Sequence, residues 1–152
     1  MLAGCETTAI SGAATPAATQ SSGEQDPDGF VLTRIGDPTL PKGRCGMVLW
    51  TLEETRPTAV LRYVVEEGGN IAVNSGAVDL TRVGASGAEA FGVTETQRFS
   101  DASGIFSVTV STRFGLEFSS GVYLERGLVT VESADGWRSV TPVAGIAGCR
   151  GL

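Results

Sequence analysis

Residues 128–140 read Leu128-Val129-Thr130-Val131-Glu132-Ser133-Ala134-Asp135-Gly136-Trp137-Arg138-Ser139-Val140. Apolar and polar residues alternate on both sides of the Asp135-Gly136 pair, and a period of two places successive side chains on opposite faces of a strand. Asp-Gly favours the tight turn of a hairpin because both residues tolerate a positive φ. The stretch therefore predicts two antiparallel strands joined by a turn.

Segments nearer the N-terminus repeat this pattern, with turn residues between them. Residues 105–110 alternate in the same way, and residues 91–99 are their predicted partner strand. Residues 58–66 alternate as well and are predicted to turn through residues 67–70 into a strand at 71–73. A further short strand is predicted over residues 77–83.

The run Gly46-Met47-Val48-Leu49-Trp50 is apolar throughout, which is typical of a central strand buried on both faces. No window of ten or more residues favours an amphipathic helix, because Gly and β-branched residues interrupt each one. We therefore predict an all-β domain of eight or nine antiparallel strands. Such a sheet buries one face by closing into a barrel or by packing as a sandwich, and the residues do not decide between them.

The composition excludes several function classes. The 152 residues carry a formal net charge of −6, and 41% of them are hydrophobic, which is enough for one packed core. A surface of this charge repels phosphate backbones, so nucleic acid is not an expected partner. The chain has no His, which excludes the Ser-His and Cys-His pairs of familiar hydrolases and every imidazole metal ligand.

The carboxylates do not predict an active site. The pairs Glu53-Glu54 and Glu66-Glu67 flank predicted turns, and neighbours on a strand point to opposite faces, so we interpret them as solvated charges. Asp26-Pro27-Asp28-Gly29 shares only the start of a calcium loop and is interpreted as a linker turn. We expect no catalytic residue, no metal site and no cofactor.

Aromatic residues are the best candidates for a partner contact, because large rings dominate interface energies. Trp50 lies in the apolar run and is predicted to be in the core. Trp137 follows a turn, so Trp137 is the predicted partner-binding residue, and the edges of the sheet are a second predicted contact. The arginines are spread singly along the strands, which favours surface ion pairs over a binding stripe.

The segment Leu2-Ala3-Gly4-Cys5 resembles the lipobox at which bacterial lipoprotein precursors are cleaved. The resemblance implies that residues 1–4 are the remnant of a signal peptide and that Cys5 becomes a lipidated N-terminus, which several acyl chains hold in a membrane. The basic and apolar regions that precede the box in that family are expected upstream of Met1. Glu6, rather than Asp, after the Cys implies an outer-membrane location.

Residues 6–29 contain no aromatic residue and one large aliphatic residue, Ile10. This composition is typical of a solvated chain. We therefore predict that residues 5–29 are a lipidated, disordered tether, followed by the all-β domain over residues 30–152. The order of lipid, tether and domain suits a protein that faces the periplasm or the cell exterior.

Once Cys5 is assigned to the lipid, Cys45 and Cys149 remain for one disulfide. An exported compartment favours the bridge, which would join the first core strand to the last and close a loop of about 105 residues. The alternative is a pair of buried free thiols. Metal binding is disfavoured, because three cysteines so far apart lack ligand spacing.

A second resemblance concerns the domain. Residues 41–50 and 141–145, together with Gly136-Trp137, are similar to a set of short uncharacterised bacterial proteins. That resemblance implies no activity.

These features favour a non-enzymatic, lipid-anchored envelope protein that acts as a binding or assembly component of a cell-envelope complex. Its expected partners are the membrane, through the N-terminal lipid, and another envelope protein, which would be basic if charge guides the encounter. The alternative is a periplasmic inhibitor of a hydrolase, a lysozyme or a protease. A third hypothesis is an enzyme that uses only carboxylates brought together from distant strands.

Overall fold

The computed structural model describes residues 30–53 and 55–151. Cys5, the predicted tether of residues 5–29 and Glu54 lie outside the described residues. Every regular element within them is a strand, so the all-β prediction is confirmed. The strands are β1 (Leu32–Thr33), β2 (Cys45–Thr51), β3 (Ala59–Val64), β4 (Gly68–Val73), β5 (Gly76–Ala90), β6 (Val93–Asp101), β7 (Phe106–Phe118), β8 (Gly121–Ser133) and β9 (Arg138–Cys149).

The strands from β2 to β9 form a closed antiparallel barrel. Each strand pairs with the next one along the chain, and β2 pairs with β9 to close the cylinder. The short strand β1 is additional, and its Leu32 stands opposite Val73 of β4. The fold is therefore a barrel and not a sandwich.

Closure limits the strand edges that could contact a partner. Each of the eight barrel strands has a hydrogen-bonded neighbour on both sides along part of its length, but β5 beyond Leu80 and β7 beyond Ser111 pair on one side only. A partner contact at a strand edge therefore stays a prediction, restricted to these segments and to β1.

Side chains fill the barrel interior. Along β7, Val108 and Val110 are fully buried, whereas Thr109 between them is half-buried and the flanking Ser107 and Ser111 are exposed. The same alternation on the other strands produces one core cluster, which includes Met47, Leu49, Leu61, Tyr63, Ile71, Phe99, Val122, Leu124, Val129, Val131, Val143 and Ala147. An eight-stranded barrel is just wide enough for its side chains to fill it, and this interior is a packed core.

A second cluster lies outside the barrel. Residues 34–44, here called the strap, cross the outer faces of β2, β3 and β4. Ile35 and Leu40 of the strap are buried against outward-facing residues of these strands, namely Val48, Ala59, Val64 and Ala72. This cover explains why Gly46 to Leu49 are buried on both faces, as the apolar run predicts. Trp50 packs against the outer cluster and is half-buried, so it does not enter the barrel core.

The turn between β3 and β4 differs from its prediction. It lies at residues 65–67, because Gly68 and Gly69 are already strand residues. A Cβ atom on Gly68 would lie 2.7 Å from the carbonyl oxygen of Leu80 on β5. Gly68 therefore permits β4 and β5 to approach closely. Because glycine is also common in turns, the sequence alone predicted a turn at this position.

Several strands are longer than predicted. The predicted strand at 77–83 is part of the longer strand β5. Strands β7 and β8 also extend beyond their predicted ends and are joined by a turn at residues 119–120, which the sequence did not predict. The register of β7 against β8 shifts after Ser111 and again after Phe114. Such bulges break the period of two that reveals a strand in sequence.

The two ends of the barrel carry different groups. At the disulfide end, Cys45 and Cys149 stand opposite each other in the β2–β9 register and form a disulfide, as predicted. At the opposite end, here called the Trp137 end, the ring centroid of Phe30 lies 3.9 Å from that of Trp137 and 5.1 Å from that of Phe106. The aromatic group closes that end over the core.

Candidate functional site

An apolar groove lies on the outside of the barrel near the disulfide end. It runs between the strap and the β7–β8 turn and has a volume of about 460 Å³. Its apolar side chains are Leu40, Val48, Trp50, Phe118 and Ile146. We call this feature the groove, and apolar side chains form most of its lining.

The floor of the groove is a row of outward-facing residues on three neighbouring strands. Val48 of β2 stands directly opposite Ile146 of β9, which stands opposite Tyr123 of β8. These residues face outward because their neighbours along each strand point into the core. Tyr123 extends the row beyond the groove, with 49% of its surface exposed.

The wall opposite the strap is aromatic. The rings of Phe118 and Tyr123 lie 5.0 Å apart between centroids, at a tilt of 48°. Phe118 packs over Gly121, where an added Cβ atom would lie 2.6 Å from the ring. Glycine at position 121 therefore lets the Phe118 ring lie against the sheet and form a wall of the groove.

The strap wall is held by two arginines from different parts of the chain. Nη1 of Arg62 on β3 donates a hydrogen bond to the carbonyl oxygen of Thr39 at 2.7 Å. Nη1 of Arg150, just after β9, donates to the carbonyl oxygen of Leu40 at 2.9 Å. Hydrogen bonds from charged donors are among the stronger ones, so these contacts fix two successive peptide units of the strap.

Asp37 closes a local turn in the strap. Its Oδ1 atom accepts a hydrogen bond from the Thr39 amide at 2.9 Å. The amide and hydroxyl of Thr39 lower the pKa of Asp37 below its ordinary value, and the positive charges of Arg62 and Arg150 lower it further. The carboxylate is therefore ionised at neutral pH and partly balances these two cations.

A second, smaller cavity adjoins the groove on the far side of Trp50. It has a volume of about 330 Å³, and Trp50 and Pro38 line both cavities. Arg34 and Arg56 line the second cavity, and both are exposed. No Asp or Glu lies among the described residues that line either cavity. An apolar surface and a cationic surface therefore meet at Trp50.

Comparison of the chain with models of protein families, with curated proteins and with solved structures gave no match.

The predicted partner-binding residue Trp137 lies at the other end of the barrel from the disulfide. Its indole is half-buried against Phe30, and its amide donates to the hydroxyl of Ser133 at 3.1 Å and to Asp135 Oδ1 at 3.4 Å. The hydrogen bonds from the Ser133 hydroxyl and the Trp137 amide lower the pKa of Asp135. Trp137 is thus part of a well-bonded turn, and its predicted role as a partner contact remains a prediction.

The carboxylate pair Glu66-Glu67 does not form a buried site, and Glu54 of the other pair lies outside the described residues. Glu66 and Glu67 lie in the exposed β3–β4 turn, where Glu67 forms an ion pair with Nε of Arg44 at 3.1 Å. Within residues 30–53 and 55–151, this pair is the only one with nitrogen and oxygen within 4.0 Å. The prediction that arginines form surface ion pairs therefore holds for Arg44 alone in the described part.

A polar site occupies the disulfide end of the barrel interior. Arg82 lies over the ring of Tyr63, with its guanidinium carbon 5.3 Å from the ring centroid. Its Nη1 atom donates to Oε1 of the fully buried Gln97 at 2.9 Å and to the carbonyl oxygen of Gly92 at 3.1 Å. Both acceptors belong to β6 or to the turn before it, so we interpret Arg82 as a structural residue that closes this end.

No group of three or more His, Cys, Asp or Glu side chains in the described part of the chain could hold a metal ion. The described residues also contain no helix that is long and apolar enough to cross a bilayer.

The sequence did not reveal the residues of the groove. Val48, Tyr123 and Ile146 are far apart along the chain, and each lies in an apolar stretch that indicates core packing. Only the β2–β9 pairing, which joins the two ends of the domain, places them in one row.

Proposed function

We propose that the protein is a non-enzymatic binding component of a cell-envelope complex, and that the groove is the surface that contacts its protein partner. In this proposal a lipid on Cys5 holds the chain at the membrane, and the barrel presents the groove to another envelope protein. The sequence of the first 29 residues supports the anchored part of the proposal.

The observation that carries the proposal is the contrast between the two sides of the sheet. The core cluster of the interior consists of side chains that are almost completely buried, and the cavity at the disulfide end of the barrel is lined by Arg82 and three glutamates as well as apolar groups. The outer surface carries Trp50, Phe118, Tyr123 and Ile146 around a concave surface. Aromatic residues around an apolar depression are typical of the centre of a protein–protein interface.

The rigidity of the groove supports the same use. Its floor consists of hydrogen-bonded strands, and its strap wall is fixed by Arg62 and Arg150. A preformed surface loses little conformational entropy when a partner binds. The groove can therefore accept an apolar side chain of the partner without rearrangement.

Site-specific photocrosslinking in the native cell tests the proposal. A benzophenone amino acid is placed at Tyr123, beside the groove, and in a matched protein at Ser111, an exposed residue of β7 on another part of the barrel. We expect a single crosslinked protein of defined mass from position 123 and none from position 111. Equal crosslinking at both positions, or none at 123, would contradict the proposal.

The identity of the crosslinked protein separates the proposal from its alternative. A partner that is a structural or assembly protein of the envelope supports the proposal. A lysozyme or protease whose activity falls when the purified protein is added would instead support the inhibitor hypothesis and overturn the assembly role.

A further inference from the structure

We infer that the partner presents an acidic, extended peptide segment to the groove, with one apolar side chain in the groove and carboxylates over the arginines beside Trp50. This inference rests on the proposed function of the groove and specifies the partner's chemistry.

The first argument is the uneven distribution of charge along the chain. Residues 1–29 contain four acids, Glu6, Glu24, Asp26 and Asp28, and no Lys or Arg. Residues 30–65 contain five Lys and Arg against three acids, so this segment has a formal charge of +2 within a chain of −6. The segment that contains the strap therefore carries a positive charge although the whole chain is negative.

The second argument is where the folded chain places these cations. Arg34 and Arg56 line the cavity next to the groove, and Arg150 lies at the groove itself. Arg34 and Arg56 are exposed, so their guanidinium groups can be reached by a ligand. Guanidinium groups pair with carboxylates in a bidentate manner, which makes arginine well suited to recognise acidic segments.

The third argument is that the apolar and cationic surfaces are continuous. Trp50 and Pro38 belong to both cavities, so a ligand that crosses Trp50 contacts both. Side chains two positions apart in an extended peptide point the same way, which allows one apolar residue to enter the groove while acidic residues two positions away reach Arg34 and Arg56. A basic partner, the expectation from the net charge, would meet like charges at this surface.

Peptide selection on the full chain tests the inference. The library is phage-displayed and holds random peptides of about 12 residues, a length that spans such a groove. Peptides that bind wild type are counter-selected against Trp50→Ala. We expect enrichment of Asp and Glu around one aromatic or large aliphatic residue. Enrichment without acids, or with Lys and Arg, would overturn the inference and leave the proposed function intact. No Trp50-dependent enrichment would instead count against the groove as a binding surface.

Fluorescence polarisation with one selected peptide then measures the role of charge. The variant R34Q/R56Q should bind about three- to tenfold more weakly, which is the effect of losing two exposed ion pairs. The matched control R98Q/R113Q removes two exposed arginines from β6 and β7, on the opposite side of the barrel, and should bind like wild type. Equal affinities for all three proteins would overturn the inference. Circular dichroism of each variant checks that it is folded.

Discussion

Arg82 donates a 2.9 Å hydrogen bond to the side-chain carbonyl oxygen of Gln97, a residue with no exposed surface. Gln97 in turn directs its Nε2 atom at the sulfur of Met47, 3.3 Å away. Gln97 is the only polar side chain among the described residues that are fully buried. It therefore depends on Arg82 for its strongest hydrogen bond.

Replacing Arg82 with Ala should lower the free energy of unfolding by about 1–3 kcal/mol, because it leaves the buried Gln97 oxygen without a donor. The exposed Arg98 on β6 is a matched control, and Arg98→Ala should change stability by less than about 0.5 kcal/mol. Urea denaturation of the three proteins measures both values. Equal midpoints for Arg82→Ala and Arg98→Ala would show that the Arg82 contacts do not stabilise the barrel.

The disulfide should contribute strongly to stability because it joins residues 104 positions apart. On the chain-entropy view, the double variant Cys45→Ser/Cys149→Ser should lose about 5 kcal/mol of unfolding free energy. Reductant should destabilise wild type by the same amount and leave the double variant unchanged. A wild-type midpoint that does not respond to reductant would contradict the prediction, and a linked peptide pair in a non-reduced digest confirms the bridge in solution.

Trp137 and Phe30 form one aromatic contact, so Trp137→Ala and Phe30→Ala should each destabilise the protein, by about 1–2 kcal/mol for half-buried rings. Neither substitution should reduce photocrosslinking from position 123. A loss of crosslinking with Trp137→Ala, but not with Phe30→Ala, would show that Trp137 contacts the partner, as the sequence predicts.

Acid should weaken the turns at the Trp137 end. Burial acts to raise the pKa of Asp101, but the hydroxyl of Ser103 and the amide of Phe106 lower it more, so the net shift is downward. Asp135 also has a lowered pKa. A carboxyl group whose pKa is lower in the folded protein than in the unfolded chain stabilises the fold at pH values above the unfolded pKa of about 3.9. This stabilisation is lost as the pH falls through the pKa of the folded state.

The unfolding free energy should therefore fall with pH below about 4, and the double variant Asp101→Asn/Asp135→Asn should show a shallower fall. Urea denaturation at several pH values from about 2.5 to 6 measures both slopes. Identical slopes for the variant and wild type would mean that these two carboxylates do not contribute to acid sensitivity.

The lipid anchor is tested with the full reading frame expressed in a bacterial cell. Cys5→Ser should move the protein from the detergent phase to the aqueous phase in a detergent partition, because several acyl chains are needed for stable anchoring. Cys45→Ser is the control for loss of a cysteine and should remain in the detergent phase. A wild-type protein in the aqueous phase would contradict the proposal that Cys5 carries a lipid.

Local patterns predicted the parts of the fold that local forces determine. The alternation around Asp135-Gly136 predicted the β8–β9 hairpin, and the run from Gly46 to Trp50 predicted a strand covered on both faces. The Cys45–Cys149 disulfide was predicted because the lipobox resemblance assigns Cys5 to a lipid and an exported compartment favours a bridge between the remaining two cysteines. The barrel itself could not be predicted, because strands of a barrel and of a sandwich show the same alternation, and only the pairing of β2 with β9 distinguishes them.

The groove escaped prediction for a related reason. The sequence presents Arg62 and Arg150 as charges that need carboxylate partners, but their partners are backbone carbonyl oxygens of the strap. Backbone acceptors are present at every residue, so residue types alone do not show which of them an arginine will contact. Trp50 was predicted to lie in the core because it ends an apolar run. That run does not reveal that the strap covers the outer face of β2, where Trp50 is half-buried.

The pairing of β2 with β9 also sets the order in which the chain can mature. A ribosome or a translocation channel delivers β2 long before β9, and until β9 emerges the growing sheet has two unpaired borders that can template association with other chains. Contacts of such long sequence separation also slow folding. Newly made chains should therefore expose more unpaired strand backbone than the finished barrel, in which β2 and β9 cover each other.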